Sequence, residues 1–438
     1  MGLFNSVLIH VRMQPENLAV VGAGIGGCCA AYFARKLLPG VKVTIYDSQD
    51  RIGGRILTHK YSGVPLELGA AFFNGFNRTI LDIVKAERLK ITTIQERMDF
   101  GVWNGSEFVF RSNKQKFATS LKLIAKYRFS LGKVFLLLRK VKRQVDRLYQ
   151  EELENPADIS ELLKSAGLEE WRKKSFSEVL IERGVSQAFI DEIVAPITRI
   201  IYSQNAELGG FAGISSLIGV YSGEIYSLAE GNSTLPVHLA EASDAAIKLG
   251  RKVEVIEKTP KGNYRVYTEE DMTVFESVII ATPLCLADIK FDGLSIDGWE
   301  PKPYRAVYKL IMRGVLDPDY FGLKNAADLP SIVLTTKDVD PITHYNIQKS
   351  IDGKSLVTVS SLKPLDHNIF SSLFKNGEVP VIEHCWKAAY PIFKPVNKLP
   401  PTRMDERLIY INAIEPSVSS METSALSASN AIRILGEE

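Results

Sequence analysis

A glycine-rich stretch near the N-terminus constrains the fold more than any other part of the sequence. Residues 17–37, NLAVVGAGIGGCCAAYFARKL, contain an apolar run, the pattern Gly22-x-Gly24-x-x-Gly27 and an alanine-rich helical segment. Gly22 permits a tight turn, Gly24 lets the backbone approach a pyrophosphate, and Gly27 lets the helix pack closely on the strand. The spacing therefore predicts a strand, a turn and a helix whose N-terminus binds the phosphates of a dinucleotide.

The next strand strengthens this prediction. The run VKVTIYD ends in Asp47, twenty-five residues after Gly22. An acidic residue at this point of such a unit is placed to accept hydrogen bonds from ribose hydroxyls. Strand, turn, helix, strand and acid in this order indicate a dinucleotide site more specifically than the glycines alone, but they do not say which dinucleotide binds.

The composition excludes several other classes of protein. The chain has 438 residues, of which 24% are charged and 45% hydrophobic, and its net charge is +2. These values are ordinary for a folded protein of two or three domains, and they give no general attraction to nucleic acid. The sequence contains no run of eighteen apolar residues, so it predicts no membrane-spanning helix. The cysteines and histidines show no metal-ligand, disulfide or Ser-His-Asp pattern, so we expect no metal centre.

A second pair of glycines indicates which dinucleotide binds. The acid is followed by SQDRIGGRILT, with Gly53, Gly54 and Arg55, and then by LELGAAFF, with Glu67 and Gly69. These segments resemble the flavoprotein superfamily that includes amine oxidases, carotenoid desaturases and Rab GDP-dissociation inhibitors. In that superfamily they line the pyrophosphate and the flavin, so the resemblance implies FAD as the cofactor.

Three later segments resemble the same superfamily. RKVEVIEK (251–258) is similar to the strand near the adenine, FESVIIATPL (275–284) to the strand before an Ala-Thr-Gly turn, and the stretch from 407 onward to the strand and helix that cover the flavin. Pro283 replaces the glycine of that turn. The resemblance implies the following cofactor-binding residues: Gly22, Gly24, Gly26, Gly27, Asp47, Gly53, Gly54, Arg55, Glu67, Gly69, Gly231, Val255, Thr282 and Glu415.

Longer blocks resemble one family of this superfamily, prenylcysteine oxidase, also called prenylcysteine lyase. The similarity extends over nearly the whole chain, and its most particular blocks are 184–219, 223–235, 316–338, 388–401 and the C-terminal stretch. The second block departs from the family, which has Glu-Gly-Gly-Asn where this chain has Glu230-Gly231-Asn232-Ser233. A different residue beside the flavin or the substrate would alter which substrate is accepted, so this departure affects the substrate more than the class of enzyme.

The family resemblance implies a thioether oxidase that acts on farnesylcysteine or geranylgeranylcysteine in the degradation of prenylated proteins. A hydride leaves the isoprenoid C1 for the flavin, water adds to the cation that sulfur and the allylic double bond stabilise, and the hemithioacetal collapses. Cysteine and an isoprenoid aldehyde are released, and O2 reoxidises the flavin to give hydrogen peroxide. The cofactor performs the difficult step, while the protein positions C1.

Glu230, Tyr202 and Gln204 are the candidate catalytic residues. Glu230 resembles the segment that faces the flavin in related enzymes, and the alternative is an acid near a helix N-terminus. Tyr202 and Gln204 lie in RIIYSQ, where they either contact the substrate or water or are buried for structural reasons.

Three further residues have two interpretations each. Tyr390 and Phe393, in AYPIFKP, wall the flavin or the prenyl chain, or they are simply core residues. Lys309, in AVYKLIM, lies in the region where amine oxidases carry a lysine near the flavin. We expect it instead to be a solvated residue on an alternating strand.

One segment is strongly basic. Residues 114–150 hold eleven Lys or Arg residues and one acid, Asp146. Apolar residues recur in the segment at roughly helical spacing, namely Leu121, Ile124, Phe135, Leu138, Val141, Val145 and Leu148. A basic amphipathic helix suits peripheral contact with an anionic membrane, from which a prenyl substrate would arrive. The alternative is a helix with one face in the core and the other in solvent.

The first residues leave the compartment open. MGLFNSVLIHVRM lacks the basic start and the cleavage site of a signal peptide, whereas Gly2 and Ser6 fit the myristoylation pattern M-G-x-x-x-[ST]. The family resemblance implies a lysosomal or membrane-associated protein, and the cytoplasmic surface of a membrane is the alternative. The oligomeric state is not determined by the sequence.

The order of the segments predicts an α/β protein with two intertwined domains. The first is a discontinuous Rossmann-type FAD-binding domain, similar to that of glutathione reductase and amine oxidases, formed by 17–100, 225–299 and 386–438. The second is an inserted α+β substrate domain, formed by 101–224, which is mainly helical, and 300–385, which has strand-like runs at 304–312 and 354–362.

Three functions remain open. The first is a prenylcysteine oxidase, and the second is another flavin oxidoreductase, such as an amine oxidase or an isoprenoid desaturase. The third is a non-catalytic binder of prenylated proteins, similar to the Rab inhibitors. The intact glycines and Arg55 disfavour the third function, because such a binder has no need of a pyrophosphate cradle.

Overall fold

The computed structural model describes residues 14–93, 99–112, 116–296, 298–351, 354–366, 368–375 and 380–437. The strands are β1 (Asn17–Val21), β2 (Lys42–Tyr46), β3 (Thr58–Tyr61), β4 (Val64–Glu67), β5 (Phe73–Asn74), β6 (Ile91–Thr93), β7 (Phe100–Trp103), β8 (Phe108–Arg111), β9 (Ile225–Leu228), β10 (Ala246–Lys248), β11 (Val253–Lys258), β12 (Tyr264–Thr268), β13 (Met272–Phe275), β14 (Ser277–Ile280), β15 (Lys290–Asp292), β16 (Tyr304–Gly314), β17 (Ile332–Thr335), β18 (Ile342–Ile351), β19 (Lys354–Ser361), β20 (Pro380–Pro391), β21 (Arg403–Asp405) and β22 (Leu408–Tyr410). The helices are α1 (Ile25–Leu37), α2 (Arg78–Ala86), α3 (Lys116–Tyr127), α4 (Ser130–Glu154), α5 (Ile159–Ser165), α6 (Phe176–Glu182), α7 (Gln187–Phe189), α8 (Ala195–Tyr202), α9 (Gly210–Ser222), α10 (Thr234–Ala242), α11 (Leu284–Ala287), α12 (Asn368–Leu373) and α13 (Met421–Gly436). The myristoylation pattern at Gly2 and Ser6 lies outside the described residues.

A six-stranded sheet contains the unit predicted from the glycines. Its order is β10-β2-β1-β14-β22-β21, and β1 is parallel to both β2 and β14. Leu18, Ala19, Val20 and Val21 of β1 are all buried, as expected for a central parallel strand that is covered on both faces. On one face, α1 packs against α10 and α13. The sheet therefore combines residues from the start, the middle and the end of the chain.

The structure confirms that two segments predicted as strands in this half of the molecule are strands. The segment at 251–258 forms β11, in a four-stranded sheet of order β13-β12-β11-β15. The segment at 275–284 contains β14, which pairs with β1 in the six-stranded sheet. Pro283, the departure from the expected turn, directly precedes α11.

A seven-stranded sheet forms the second half of the molecule, in the order β20-β16-β19-β18-β17-β7-β8. The strand-like runs predicted at 304–312 and 354–362 are β16 and β19. Helix α8 packs against β17 and β18, and α9 packs against α8, α4 and α6, so α8 connects the helices of this segment to the sheet. The predicted boundaries at 100/101 and 385/386 fall inside β7 and β20. Because both whole strands belong to this sheet, these two junctions move to the ends of the strands.

The basic segment forms two helices rather than one. Helix α3 ends at Tyr127 and α4 begins at Ser130, because Arg128 between them has a φ of 51°, in the left-handed region. Four of the seven predicted apolar positions are buried or half-buried, namely Leu138, Val141, Val145 and Leu148. The other three, Leu121, Ile124 and Phe135, are about half exposed, contrary to a single buried stripe. Within the described residues no helix is both long and apolar enough to span a bilayer.

Candidate functional site

The glycines of the first turn meet different requirements. Gly22 has a φ of 114°, and a Cβ there would lie 3.1 Å from the carbonyl group of Ala281, at the end of β14. A Cβ at Gly27 would lie 1.8 Å from the oxygen of Gly22, so α1 cannot approach β1 unless residue 27 is glycine. A Cβ at Gly24 would meet nothing closer than the Gly54 Cα at 3.9 Å. Gly24 therefore leaves open space in front of the turn, as a pyrophosphate-binding turn requires.

The second glycine pair closes over this turn. Gly53 forms a β-bridge with Gly24, and its N–H donates to the carbonyl oxygen of Ala23 at 2.8 Å. Gly53 and Gly54 both have positive φ, 123° and 53°. Among the described residues no side chain caps the N-terminus of α1, and its first turn carries no acid. The N–H groups of α1 and the two glycine loops thus present a phosphate cradle.

Of the other predicted cofactor residues, Asp47, Thr282 and Gly26 adjoin the first glycine turn or α1, whereas Val255 lies on another sheet. The Asp47 carboxylate ends β2 and accepts hydrogen bonds from the N–H groups of Ala23 at 2.7 Å and Gln49 at 2.8 Å. Thr282 follows β14 beside Gly22. Gly26 lies on α1, where a Cβ would be 2.9 Å from the Ile411 side chain. Val255 is half-buried on β11, in the neighbouring four-stranded sheet.

Arg55 connects the cradle to the seven-stranded sheet. It pairs with Glu415 and donates to the carbonyl oxygen of Ala389 at 3.3 Å. Glu415 also accepts hydrogen bonds from the hydroxyls of Tyr304 at 2.8 Å and Ser419 at 3.0 Å. Burial opposes the charge of Arg55, but Glu415 together with Tyr304 and Tyr390 outweighs burial and raises the pKa of Arg55. Segments that are 360 residues apart thus meet at one ion pair.

Glu67 joins three segments on the other side of the cradle. Its carboxylate accepts hydrogen bonds from the N–H of Asn232 at 2.7 Å and the hydroxyl of Thr58 at 2.9 Å, and burial raises its pKa. Gly231 has a φ of 96°, and a Cβ there would be 2.3 Å from the Thr58 side chain. A Cβ at Gly69 would lie 2.1 Å from the oxygen of Arg55. These close approaches explain why the Glu-x-Gly and Glu-Gly segments carry glycine.

Asn232 and Ser233 are structural residues that the sequence analysis treated only as departures. The Asn232 amide accepts from the N–H of Leu228 at 2.9 Å and donates to the oxygen of Ala70 at 3.0 Å. Ser233 and Thr58 exchange two hydrogen bonds, at 2.7 and 3.0 Å. The departure from the family pattern was the signal that could have identified them.

Glu230 does not lie where a catalytic residue is expected. Its side chain is 73% exposed and pairs with Lys60 at 3.1 Å. A solvated carboxylate with a lysine partner is poorly placed for chemistry in an enclosed site, so the prediction for Glu230 is corrected to a surface ion pair. The turn that follows it points Asn232, not Glu230, toward Glu67.

Tyr202 and Gln204 adjoin an aromatic cluster. The Tyr202 ring meets Tyr390 edge-on at 5.3 Å and Phe393 at 4.9 Å between centroids. The Gln204 amide donates to the oxygen of Pro391 at 3.0 Å and accepts from the N–H of Phe393 at 2.9 Å. Gln204 is therefore a buried structural residue that holds the segment after β20, which is the alternative given above. We name Tyr202, Tyr390 and Phe393 the aromatic wall.

Lys309 is half-buried rather than solvated, contrary to expectation. It lies on β16 opposite Ser360 of β19 and His384 of β20, and no described residue gives its ammonium a hydrogen bond or an ion pair. Burial lowers its pKa to about 8, although the Glu67 carboxylate acts in the opposite direction. Burial, together with the charge of Lys309, lowers the pKa of His344 to about 3. The alternating pattern of the strand predicts on which face of the sheet Lys309 lies. It does not predict which residues cover that face.

Comparisons with known proteins agree with this geometry. The family model described as prenylcysteine lyase matches residues 110–438, and the model described as an NAD(P)-binding Rossmann-like domain matches residues 20–86. Farnesylcysteine lyase of Arabidopsis thaliana is 28% identical over 450 residues, covering 96% of this chain and 88% of that protein. Prenylcysteine oxidase 1 of Homo sapiens is 26% identical over 458 residues, covering 96% and 89%. A solved structure of a putrescine oxidase double mutant has a TM-score of 0.65 and 16% identity, covering 97% and 100%, which shows a shared fold.

Proposed function

Because the chain belongs to the prenylcysteine lyase family, we propose that it is an FAD-dependent oxidase that cleaves the thioether of farnesylcysteine or geranylgeranylcysteine. In the balanced reaction, the thioether, O2 and water give cysteine, an isoprenoid aldehyde and hydrogen peroxide. Bound FAD would supply the acceptor for the hydride from the isoprenoid C1. The relatives' names support this substrate class, since they are a farnesylcysteine lyase and a prenylcysteine oxidase.

The observation that carries the proposal is the phosphate cradle beside an apolar wall. Gly24 keeps the front of the turn open, and Arg55 ties the cradle to Tyr304 of the seven-stranded sheet through Glu415. Within the aromatic wall, Tyr202 and Phe393 are each 2% exposed and pack as core residues, whereas Tyr390 is half-buried and would present the apolar surface to an isoprenoid chain. A binder of prenylated proteins that uses no dinucleotide would not require Gly24 to stay unobstructed.

Anaerobic reduction of the flavin tests this function. We expect the purified protein to be yellow, farnesylcysteine to bleach it, and oxygen then to yield farnesal and hydrogen peroxide in equal amounts. Polyamines and phytoene serve as control substrates, and bleaching by these alone would identify another oxidoreductase of the same fold. A colourless protein that rejects added FAD would favour a non-catalytic binder.

We also propose that the protein contacts an anionic membrane through the α3–α4 surface, which we define as Leu121, Ile124, Phe129, Phe135 and Leu136 with their basic neighbours. Phe129 is 80% exposed and Leu136 is 63% exposed. Large apolar side chains this exposed, beside cations, suit the interface of an acidic bilayer. Such a contact fits a lysosomal or cytoplasmic membrane equally.

The structure indicates which cations to test. Lys140 pairs with Glu170 and Lys142 with Asp146, whereas Arg139 and Arg143 have no ion-pair partner among the described residues. The double variant R139E/R143E should lose most of its co-sedimentation with phosphatidylserine vesicles, at about 1 kcal/mol for each basic residue near the surface. K140E/K142E, with the same change in charge, should lose less. Undiminished sedimentation of the first variant would remove the proposal.

A further inference from the structure

Arg305 is a half-buried cation without an ion-pair partner among the described residues. The described residues provide its guanidinium with neither a hydrogen bond nor an ion pair, and its Nε atom is buried without a partner. Asp340, the acid whose charge acts on Arg305, forms its ion pair with Arg199 at 2.7 Å. Burial lowers the pKa of Arg305. The Asp340 carboxylate raises this pKa in part, and the positive charge of Arg199 lowers it further. Taking part of a guanidinium out of water without a hydrogen-bonded anion costs free energy, so an anion bound at Arg305 would recover part of that cost.

Arg305 lies in the part of the seven-stranded sheet that contacts the segments of the cradle. It lies near the start of β16, opposite Tyr390 of β20, so the two side chains share one face of the sheet. Tyr390 belongs to the aromatic wall, and its burial raises its pKa against the opposing charge of Arg55. Tyr304, the preceding residue, donates to Glu415 of the Arg55 ion pair. Arg305 therefore adjoins both the apolar wall and the connection to the cradle.

We propose that Arg305 binds the α-carboxylate of the amino-acid part of the substrate, so that a free carboxylate is a determinant of specificity. The inference rests on the proposed function. A prenylcysteine combines an isoprenoid chain with a charged amino-acid head, and the aromatic wall with Arg305 offers the matching pair of surfaces. A guanidinium suits a carboxylate because it donates two parallel hydrogen bonds to the two oxygens.

The test compares S-farnesyl-L-cysteine with S-farnesyl-L-cysteinamide, which has the same shape and a neutral end. For the wild-type holoenzyme, kcat/KM for flavin reduction should favour the acid by about 30-fold, the usual effect of a hydrogen bond to a charged group. In R305Q the ratio should fall to about 3-fold or less, through loss on the acid alone. R305K should give an intermediate ratio. K387Q, an exposed lysine of β20 on the opposite face, should match the wild type.

The outcomes separate this inference from the function on which it rests. A wild type that oxidises the acid and the amide equally well would overturn the inference and leave the function intact. So would an R305Q variant that slows both compounds alike, or that changes FAD affinity or the flavin spectrum without changing the ratio, since Arg305 would then contact the cofactor. If R305Q does not fold, R305K and the wild-type ratio decide. A wild type that oxidises neither compound would overturn both.

Discussion

Gly24 and Gly27 lie three residues apart in one turn but are needed for different reasons. At Gly27 the constraint comes from the protein, because a Cβ would collide with the oxygen of Gly22. At Gly24 the protein leaves room, and under the proposed function the constraint comes from FAD. At this scale the glycine pattern predicts function well, whereas the exposure of Glu230 and the burial of Lys309 depend on neighbours far along the chain.

G24A should separate cofactor binding from folding. The added methyl group fits the folded protein but intrudes on the pyrophosphate, so we expect FAD to bind about 10-fold more weakly or worse. The thermal midpoint of the apoprotein should not change. Absorbance of the released flavin and calorimetry measure the two effects. G132A, in open space on α4, is the matched control, and equal flavin content in both variants would contradict the expectation.

Lys309 makes stability depend on pH in a definite direction. Its pKa is about 8 in the folded protein against 10.5 ordinarily, so between these pH values the unfolded chain binds the proton and the folded chain does not. The free energy of unfolding from this site therefore rises with pH over that window. K309M should stabilise the protein by about 1–3 kcal/mol at pH 7 and by much less at pH 10.5.

Urea unfolding of the wild type, K309M and the surface control K387M at both pH values measures this effect. The comparison cancels the titration of all other groups. A K309M benefit that is equal at pH 7 and pH 10.5 would show that Lys309 has an ordinary pKa.

At the scale of elements, helix α2 is capped from the far end of the chain. The Glu422 carboxylate on α13 accepts hydrogen bonds from the N–H groups of Thr79 at 2.9 Å and Ile80 at 3.0 Å, and from the hydroxyl of Tyr149 at 2.8 Å. Glu422 is 5% exposed. The carboxylate thus satisfies the first turn of α2 in place of a local cap, and it fastens α2 and α4 to α13.

E422Q should weaken this contact. An amide nitrogen facing backbone N–H groups cannot accept, so we expect the free energy of unfolding to fall by about 1–3 kcal/mol. Amide exchange should accelerate first in residues 78–86. E241Q, an exposed acid of α10, should stay within about 0.5 kcal/mol of the wild type. If both variants behave alike, the cap contributes little.

At the scale of the whole molecule, the cofactor site is built from distant segments, which is also why only part of it was predictable. The nucleotide-binding unit could be predicted because its signal is local, within residues 17–55. The ion pair of Arg55 with Glu415 joins residues 360 positions apart, and no sequence pattern states which partner an arginine selects. The helical character of the basic segment was predicted. The break between α3 and α4 at Arg128 was not, because a single left-handed residue leaves no periodic signal in the sequence.

Binding of FAD should stabilise the assembly as a whole. Free FAD at one hundred times its Kd should add about 2.7 kcal/mol, and the thermal midpoint should rise further with the logarithm of the concentration. NAD at the same concentrations should have no effect. Differential scanning fluorimetry tests both expectations, and G24A should lose the response to FAD. A midpoint that rises with NAD instead would reassign the cradle to another dinucleotide.

The central place of β1 in its sheet has a consequence for synthesis. One neighbour, β2, follows within the same unit, but the other, β14, starts at Ser277, 260 residues after Asn17. At ordinary rates of translation the chain needs about 10–50 s to cover that distance. During this time one edge of an apolar strand lacks its neighbour, so the nascent chain is exposed to aggregation until residue 280 has been made.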